Sequence, residues 1–152
     1  MKSFFNIPDE SRFFITDEDG LGYPNFYWRF VRSGRSSDVG SVHADRWFWD
    51  IRNQQVPEGF ERVKLWMPLK QNDDMPSLMI YPGSHLKNFD YEISRSTDGR
   101  HRPVFSDRRI IESMVPAPVA SGQAIVFNDR LLHGGRATDL CRVSVELTMA
   151  VD

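Results

Sequence analysis

The chain has 152 residues, of which 40% are hydrophobic and 26% charged, as is usual for a soluble globular protein. This length predicts one domain over residues 1–152, and the single cysteine excludes an internal disulfide framework. The net charge of −2 excludes the strong electrostatic footprint of a protein that binds nucleic acid or an anionic membrane. The first ten residues lack the apolar run of a signal peptide, and no stretch reaches transmembrane length, so we expect a cytoplasmic protein.

Short runs of aromatic and β-branched residues recur between turn signals, and they predict strands rather than helices. Nine prolines and ten glycines leave few windows that can stay helical for three turns. In chain order, the predicted strands are 13–16, 26–31, 39–49, 62–69, 78–81, 124–127 and 142–151. Their spacing predicts an all-β sandwich or barrel.

The segment 85–121 departs from this rhythm because it is polar, arginine-rich and weakly patterned, with a short helix expected at 107–114. A stretch this long without clear strands is either a lid or binding loop, or a surface insertion, and both interpretations stay open. Its arginines are able to steer an anionic substrate, although a solvated run of charges is the commoner explanation.

The predicted strand 39–49 carries His43 and Asp45 two residues apart, and a strand would project both side chains to one face. His133 follows the predicted strand 124–127 and precedes two glycines. Two histidines and one carboxylate on one face of a metal form the ligand set of non-haem Fe(II) oxygenases. A bare His-x-Asp is common by chance, however, and a buried histidine beside a turn-capping aspartate is its alternative explanation.

Two other histidines compete for the place of the third ligand. His85 lies in a Pro-Gly-Ser-His turn, and His101 lies in the arginine-rich segment, so both rank below His133. Three aromatic residues, 47–49, follow the His-x-Asp motif, with Tyr81 and Phe105 elsewhere. They suit an apolar or ring-bearing substrate, but residues of this kind more often belong to the core.

The last predicted strand places Arg142, Ser144 and Glu146 on one face and apolar residues on the other. A guanidinium binds a carboxylate through two parallel hydrogen bonds, and a neighbouring hydroxyl can satisfy a further lone pair. A polar inward face would line a cavity, whereas an ordinary strand would turn that face to water.

Five pieces of sequence in one order give the chain a resemblance to a known family. It resembles the phytanoyl-CoA dioxygenase-like branch of the Fe(II)/2-oxoglutarate-dependent oxygenases, from about Val39 to the C-terminus. The pieces are His43-Ala44-Asp45, the Trp-x-x-Leu strand within Val63–Leu69, the strand Leu78–His85 that ends in Pro-Gly-Ser-His, the strand Gly122–Phe127, and His133-Gly134-Gly135 followed by Arg142-Val143-Ser144.

This resemblance implies a double-stranded β-helix, a jelly-roll or cupin-like squashed barrel of two antiparallel sheets with few short helices. It implies that His43, Asp45 and His133 bind iron as the catalytic centre. It further implies that Arg142 and Ser144 bind the co-substrate 2-oxoglutarate, with Trp66 beside its pocket and O₂ as the second co-substrate. Lys64, on the same strand face as Trp66, is expected to point inward as well.

The resemblance implies a dioxygenase that hydroxylates a small molecule and releases succinate and CO₂, because related halogenases lack the carboxylate that Asp45 supplies. Relatives are usually longer, so the chain is either a compact member or truncated at its N-terminus. No CoA-binding signature is present, so the substrate is open, as is the oligomeric state. The alternative is a metal- or carbohydrate-binding β-sandwich without catalysis, or an inactive oxygenase-like scaffold. A simple binding module has no need for Arg142 and Ser144.

Overall fold

The computed structural model describes residues 12–18, 20–95 and 99–152, so the segment assessed for a signal peptide lies outside the described residues. Within those ranges the chain is mainly β, as predicted. The strands are β1 (Phe13–Ile15), β2 (Tyr27–Val31), β3 (Glu61–Lys70), β4 (Leu78–Ile80), β5 (Glu92–Arg95), β6 (His101–Val104), β7 (Val115–Pro116), β8 (Ile125–Asn128), β9 (His133–Gly135) and β10 (Arg142–Val151). The helices are α1 (Asp45–Ile51) and α2 (Arg108–Glu112), and neither described helix is long and apolar enough to span a membrane.

The larger sheet is built around β10. Strand β3 pairs with one edge of β10, β1 and β2 both pair with its other edge, and β8 pairs with the far edge of β3. Every pairing is antiparallel, and the register sets Glu146 opposite Trp66 and Thr148 opposite Lys64. Directly opposite residues share a sheet face, so these four side chains lie on the same side of the sheet.

A smaller sheet has the strand order β7–β4–β9. Apolar side chains of both sheets and of the loops between them meet in one core cluster: Trp66, Leu78, Ala117, Val119, Phe127 and Leu131. A second cluster joins Ala44, Trp47, Phe105 and Leu132, with Tyr81 and Phe89 packed against it. Tyr81 and Phe105 therefore belong to the core, which is one of the two places that the sequence left open for them.

The predicted strand 39–49 is wrong. Within it, His43 forms an isolated bridge and Asp45 begins helix α1. The carboxylate of Asp45 suits the first turn of a helix, where the helix dipole is positive. Trp47 stacks on Tyr91 with ring centroids 4.6 Å apart, while Trp49 lies 4.0 Å from the guanidinium of Arg62. Helix α1 is buried on two sides, so more buried and less buried residues alternate along it as they would along a strand.

Segment 85–121 contains more regular structure than its pattern predicted. Strands β5 and β6 form an antiparallel hairpin, and β6 contacts α1. All four residues of β5 are exposed, so no alternation of apolar and polar residues marks it. The short helix expected at 107–114 is present as α2, and the Asp107 carboxylate caps it by accepting from the backbone N–H groups of Arg109 (3.0 Å) and Ile110 (3.3 Å).

Candidate metal centre and adjoining cavity

His43 and His133 come together through their own backbones. The N–H of each donates to the carbonyl of the other at 2.9 Å, which forms an isolated antiparallel bridge at the end of β9. The two imidazole centroids are 4.5 Å apart. A short segment before α1 and a strand of the smaller sheet thus place two ring systems side by side.

Each imidazole is oriented by a hydrogen bond at its Nδ1 atom, in addition to the backbone bonds of the bridge. Nδ1 of His43 lies 2.7 Å from the carbonyl oxygen of Ser41, and Nδ1 of His133 lies 3.0 Å from that of Leu131. A carbonyl can only accept, so Nδ1 carries the proton in both rings. This leaves the Nε2 lone pairs available to a metal, with the Nδ1 hydrogen bond that metal-binding histidines usually make.

Asp45 completes a three-residue cluster. Its Oδ1 lies 3.7 Å from Nε2 of His43, and its Oδ2 lies 3.7 Å from Nε2 of His133. These separations are too long for hydrogen bonds, but both atoms of each pair can reach one ion at about 2.0–2.2 Å. Oδ2 is buried without a hydrogen-bond partner. A divalent metal would supply the interaction that this buried oxygen lacks.

Within residues 12–18, 20–95 and 99–152, this is the only group of three or more histidine, cysteine, aspartate or glutamate side chains arranged to hold a metal. His85 and His101, the competing histidines of the sequence, lie outside it. His43 and Asp45 share the site although they do not share a strand. The predicted juxtaposition is therefore present, and a bridge followed by a helix start produces it.

The charges around the cluster favour ligands in their metal-binding protonation states. Burial opposes ionisation of Asp45, but Lys64, His133 and His43 outweigh it, so the pKa of this carboxyl lies well below its usual range. Burial lowers the pKa of His133 to about 4, although Asp45 acts in the opposite direction. At neutral pH the carboxylate is ionised and this imidazole is neutral, as metal coordination requires.

Several contacts hold the loop before His133 in place. The buried hydroxyl of Ser84, from the Pro-Gly-Ser-His turn, accepts from the N–H of Leu132 at 2.8 Å. Asp129 forms a buried ion pair with Arg62 on β3 (3.0 Å), and its carbonyl accepts from the N–H of Arg46 on α1 (2.9 Å). The loop that leads to His133 is thereby tied to the helix that begins with Asp45.

The two glycines after His133 allow the segment 39–42 to approach β9 closely. A Cβ on Gly135 would lie 2.2 Å from Cγ1 of Val39, and one on Gly134 would lie 3.1 Å from the Cα of Val42. Neither distance leaves room for an additional methyl group unless the side chain of Val39 or the backbone of Val42 moves. These glycines therefore permit the chain crossing that brings His43 to His133.

A cavity of about 460 Å³ adjoins the cluster. Its wall includes five of the six predicted site residues: His43, Asp45, Trp66, His133 and Arg142. Phe48 and Trp49 of α1 also line it, whereas Trp47 belongs to the core behind. The sixth predicted residue, Ser144, is fully buried and is not among the residues that line the cavity.

Arg142 is a buried cation on the cavity wall, and its hydrogen-bonding capacity is only partly used. Its Nη1 donates to Oγ of Ser77 at 3.0 Å, but its Nε is buried without a partner, as is Oγ of Ser144. The guanidinium carbon lies 5.8 Å from the ring centroid of Trp66. Of the five orphaned side-chain atoms in the described ranges, three belong to Asp45, Arg142 and Ser144, and the other two belong to the ion pair of Arg62 with Asp129.

The cavity wall also contains residues that the sequence analysis considered: Glu146, from the face of Arg142, and Arg100, His101 and Arg102 of the arginine-rich segment. Sequence reasoning missed four further residues of the wall, which are Glu18, Tyr27, Arg29 and Arg52. Lys64 does point inward, as expected, and its Nζ lies 3.8 Å from Oδ1 of Asp45 and 4.0 Å from Oε1 of Glu18. The alternation of side chains along β3 predicted the inward position of Lys64, whereas Glu18 lies in a loop that has no such pattern.

Fold and site together define a mainly β protein in which two histidines and a carboxylate, arranged so that they could hold a metal ion, adjoin a cavity. A family model described as phytanoyl-CoA dioxygenase (PhyH) matches residues 25–142, which is most of the chain. The chain belongs to this family, whose members depend on Fe(II) and 2-oxoglutarate. No curated protein matches it.

Solved structures support the predicted fold. EvdO2 from Micromonospora carbonacea var. aurantiaca, in its complex with 2-oxoglutarate, is 18% identical with a TM-score of 0.64 over 98% of this chain and 56% of its own. EctD from S. alaskensis with 2-oxoglutarate and 5-hydroxyectoine is 20% identical (TM-score 0.51, 82% and 41%). The non-heme alpha ketoglutarate dependent epimerase SnoN from nogalamycin biosynthesis is 17% identical (TM-score 0.51, 82% and 46%).

These likenesses confirm the double-stranded β-helix, the jelly-roll or cupin-like barrel, as the fold of this chain. The chain spans only about half of the length of these structures.

Proposed function

We propose that this chain is the catalytic part of an Fe(II)- and 2-oxoglutarate-dependent dioxygenase, with His43, Asp45 and His133 as the iron ligands. Two buried polar atoms that lack hydrogen-bond partners carry the proposal. Asp45 Oδ2 and Arg142 Nε are buried without hydrogen-bond partners, and both side chains face one cavity. A buried carboxylate oxygen calls for a cation, and a buried guanidinium nitrogen calls for an anion.

Arg142 is proposed to bind the distal carboxylate of 2-oxoglutarate, against the ring of Trp66 and with Ser77 beside it. Ser144 lies behind the cavity wall, and its hydroxyl has no hydrogen-bond partner. This hydroxyl is the proposed second contact of 2-oxoglutarate. The bound iron, with 2-oxoglutarate and O₂, supplies the oxidising chemistry: 2-oxoglutarate, O₂ and a substrate C–H group become succinate, CO₂ and an alcohol. The protein positions the reactants and limits the access of water.

Hydroxylation of a small molecule is the proposed outcome because Asp45 is present as a third protein ligand. The fold alone does not decide the reaction, since SnoN is described as an epimerase. A cavity of about 460 Å³ suits a small molecule rather than a macromolecular substrate. A binding module without catalysis, the alternative, would have no use for a buried arginine that faces a metal centre.

Substrate-independent turnover of 2-oxoglutarate tests the proposal without knowledge of the substrate. With Fe(II), ascorbate and air, the wild type should release succinate slowly, and Asp45→Ala should abolish that release because a metal ligand is lost. Asp50→Ala, on the exposed side of α1, is the matched control and should retain it. Equal succinate release by the wild type and Asp45→Ala would remove Asp45 from the ligand set.

A further inference from the structure

Helix α1 separates the cavity at the metal cluster from a second cavity of about 410 Å³. Asp45 and Trp49 line the cavity at the metal cluster, whereas Arg46, Trp47 and Asp50 line the second one. Residues three or four apart share a face of a helix, so the two sets lie on different sides of α1. No described residue lines both cavities. A molecule in the second cavity therefore faces away from the metal cluster.

The inner wall of the second cavity is aromatic. Trp47 is buried, and its ring stacks on that of Tyr91 with the centroids 4.6 Å apart and the planes at 21°. Phe89 and Tyr91 pack against the core cluster that contains Trp47. Both are only half-buried, and both line the cavity, so part of each ring is open to a ligand. Such a wall favours a ligand that has a flat apolar ring of its own.

Arg130 lies at the rim of this cavity, and its guanidinium is held by a partner that does not neutralise it. Its Nη2 donates to Oδ1 of Asn88 at 2.7 Å, and this amide oxygen carries no net charge. Lys87, next to Asn88, lines the same cavity. Within the described part of the chain neither cation forms an ion pair, whereas Arg46 is paired with Asp50 at 2.8 Å. Arg130 and Lys87 can therefore bind an anion without breaking an existing ion pair.

We propose that the second cavity binds a small anion built on a flat ring, such as an aryl carboxylate or an aryl phosphate. Phe89 and Tyr91 pack against the ring of the ligand, and Arg130 and Lys87 bind its anionic group. A guanidinium that a neutral partner already orients can make charge-assisted hydrogen bonds to such a group at a lower entropic cost. The ligand is not the molecule that is oxidised, because it faces away from the metal cluster. The inference does not depend on the proposed function, since none of the proposed iron or 2-oxoglutarate ligands lines this cavity.

The probes for the test are 4-nitrobenzoate, 4-nitrophenyl phosphate and 4-nitrobenzamide, a neutral molecule with nearly the shape of the benzoate. Indole N–H signals in ¹H–¹⁵N spectra show where a probe binds, because Trp47 lines the second cavity and Trp49 and Trp66 line the other. The anions should shift the Trp47 signal and leave that of Trp28, which is exposed on β2, unchanged. At low salt, at least one anion should bind about tenfold more tightly than the amide, an advantage that salt weakens.

The variant K87Q/R130Q should lose most of this advantage and should bind the amide as the wild type does, because the aromatic wall remains. An unchanged affinity for the amide also shows that the variant keeps its fold. Tyr91→Leu should weaken the binding of anions and amide alike, because all three probes use the ring. R108Q/R109Q, on the exposed helix α2, is the matched control and should behave like the wild type.

Four results would each overturn the proposal. They are equal affinities for all three probes, no saturable binding of either anion, signal shifts confined to Trp49 and Trp66, and an anion advantage that K87Q/R130Q retains.

Discussion

The ammonium nitrogen of Lys64 lies 3.8 Å from Oδ1 of Asp45, and both side chains are buried. The Nζ atom also donates to Oγ1 of Thr148 at 3.4 Å, and that hydroxyl hydrogen-bonds to Glu18. Burial opposes protonation of Lys64, but Asp45, Glu146 and Glu18 together raise its pKa. In the metal-free protein, this lysine therefore compensates the charge of the Asp45 carboxylate.

Lys64→Met should destabilise the metal-free protein, because it leaves the Asp45 carboxylate buried without its cation. Breaking a buried ion pair from one side costs about 3–5 kcal/mol. A divalent metal would replace the lost charge, so Zn(II) should raise the melting temperature of this variant more than that of the wild type. Lys70→Met, at the exposed end of the same strand, is the control and should match the wild type. An equal gain from Zn(II) in Lys64→Met and the wild type would contradict this role.

Gly135→Ala should destabilise the protein and weaken metal binding, because the new methyl group would displace the segment that carries His43. The clash is with one side chain, Cγ1 of Val39 at 2.2 Å. Overpacking of this kind costs about 1–3 kcal/mol. Adding Val39→Ala should restore most of the loss in urea unfolding and in Co(II) titration. Failure of the double variant to recover, with Val39→Ala alone well folded, would show that another contact fixes this crossing.

The metal-free protein should lose stability as the pH falls from about 6.5 to 4. The pKa of His133 is lowered to about 4 by burial, against an ordinary value of 6.5, so the unfolded chain takes up the proton first. The stability that the neutral imidazole contributes is complete above pH 6.5 and is lost through this window, by roughly 3 kcal/mol at most.

Urea unfolding at several pH values measures this dependence, and His133→Gln should flatten it. His85→Gln, in the turn after β4, should leave it unchanged. An identical pH slope in His133→Gln and the wild type would assign the dependence to another group.

Strands with one buried face were predictable because the types of residue alternate along them with the two faces of the sheet. Strands β3 and β10 each extend within one residue of their predicted bounds, and the inward phase of Lys64 is correct. The hairpin β5–β6 was missed because nearly all of its residues are exposed, so no such alternation marks it. Helix α1 was mistaken for a strand because Trp47 and Trp49 are buried on different sides of it.

The metal cluster was predictable from residue types in order, although its local geometry was not. His43 and Asp45 converge through a bridge and a helix start, and the bridge depends on His133, ninety residues away. The balance of charges in the cavity was less accessible. Arg29 reaches the wall through the pairing of β2 with β10, and Glu18 comes from a loop, and no local pattern encodes either position.

Anaerobic optical titration with Fe(II) and 2-oxoglutarate tests the central claim most directly. The wild type should develop a weak visible charge-transfer band that saturates with 2-oxoglutarate. Arg142→Gln should need at least tenfold more 2-oxoglutarate for the same band, because a charged hydrogen-bond partner is lost. Arg108→Gln should titrate like the wild type. Absence of the band in folded, iron-loaded wild type, or an identical titration of Arg142→Gln, would contradict the account.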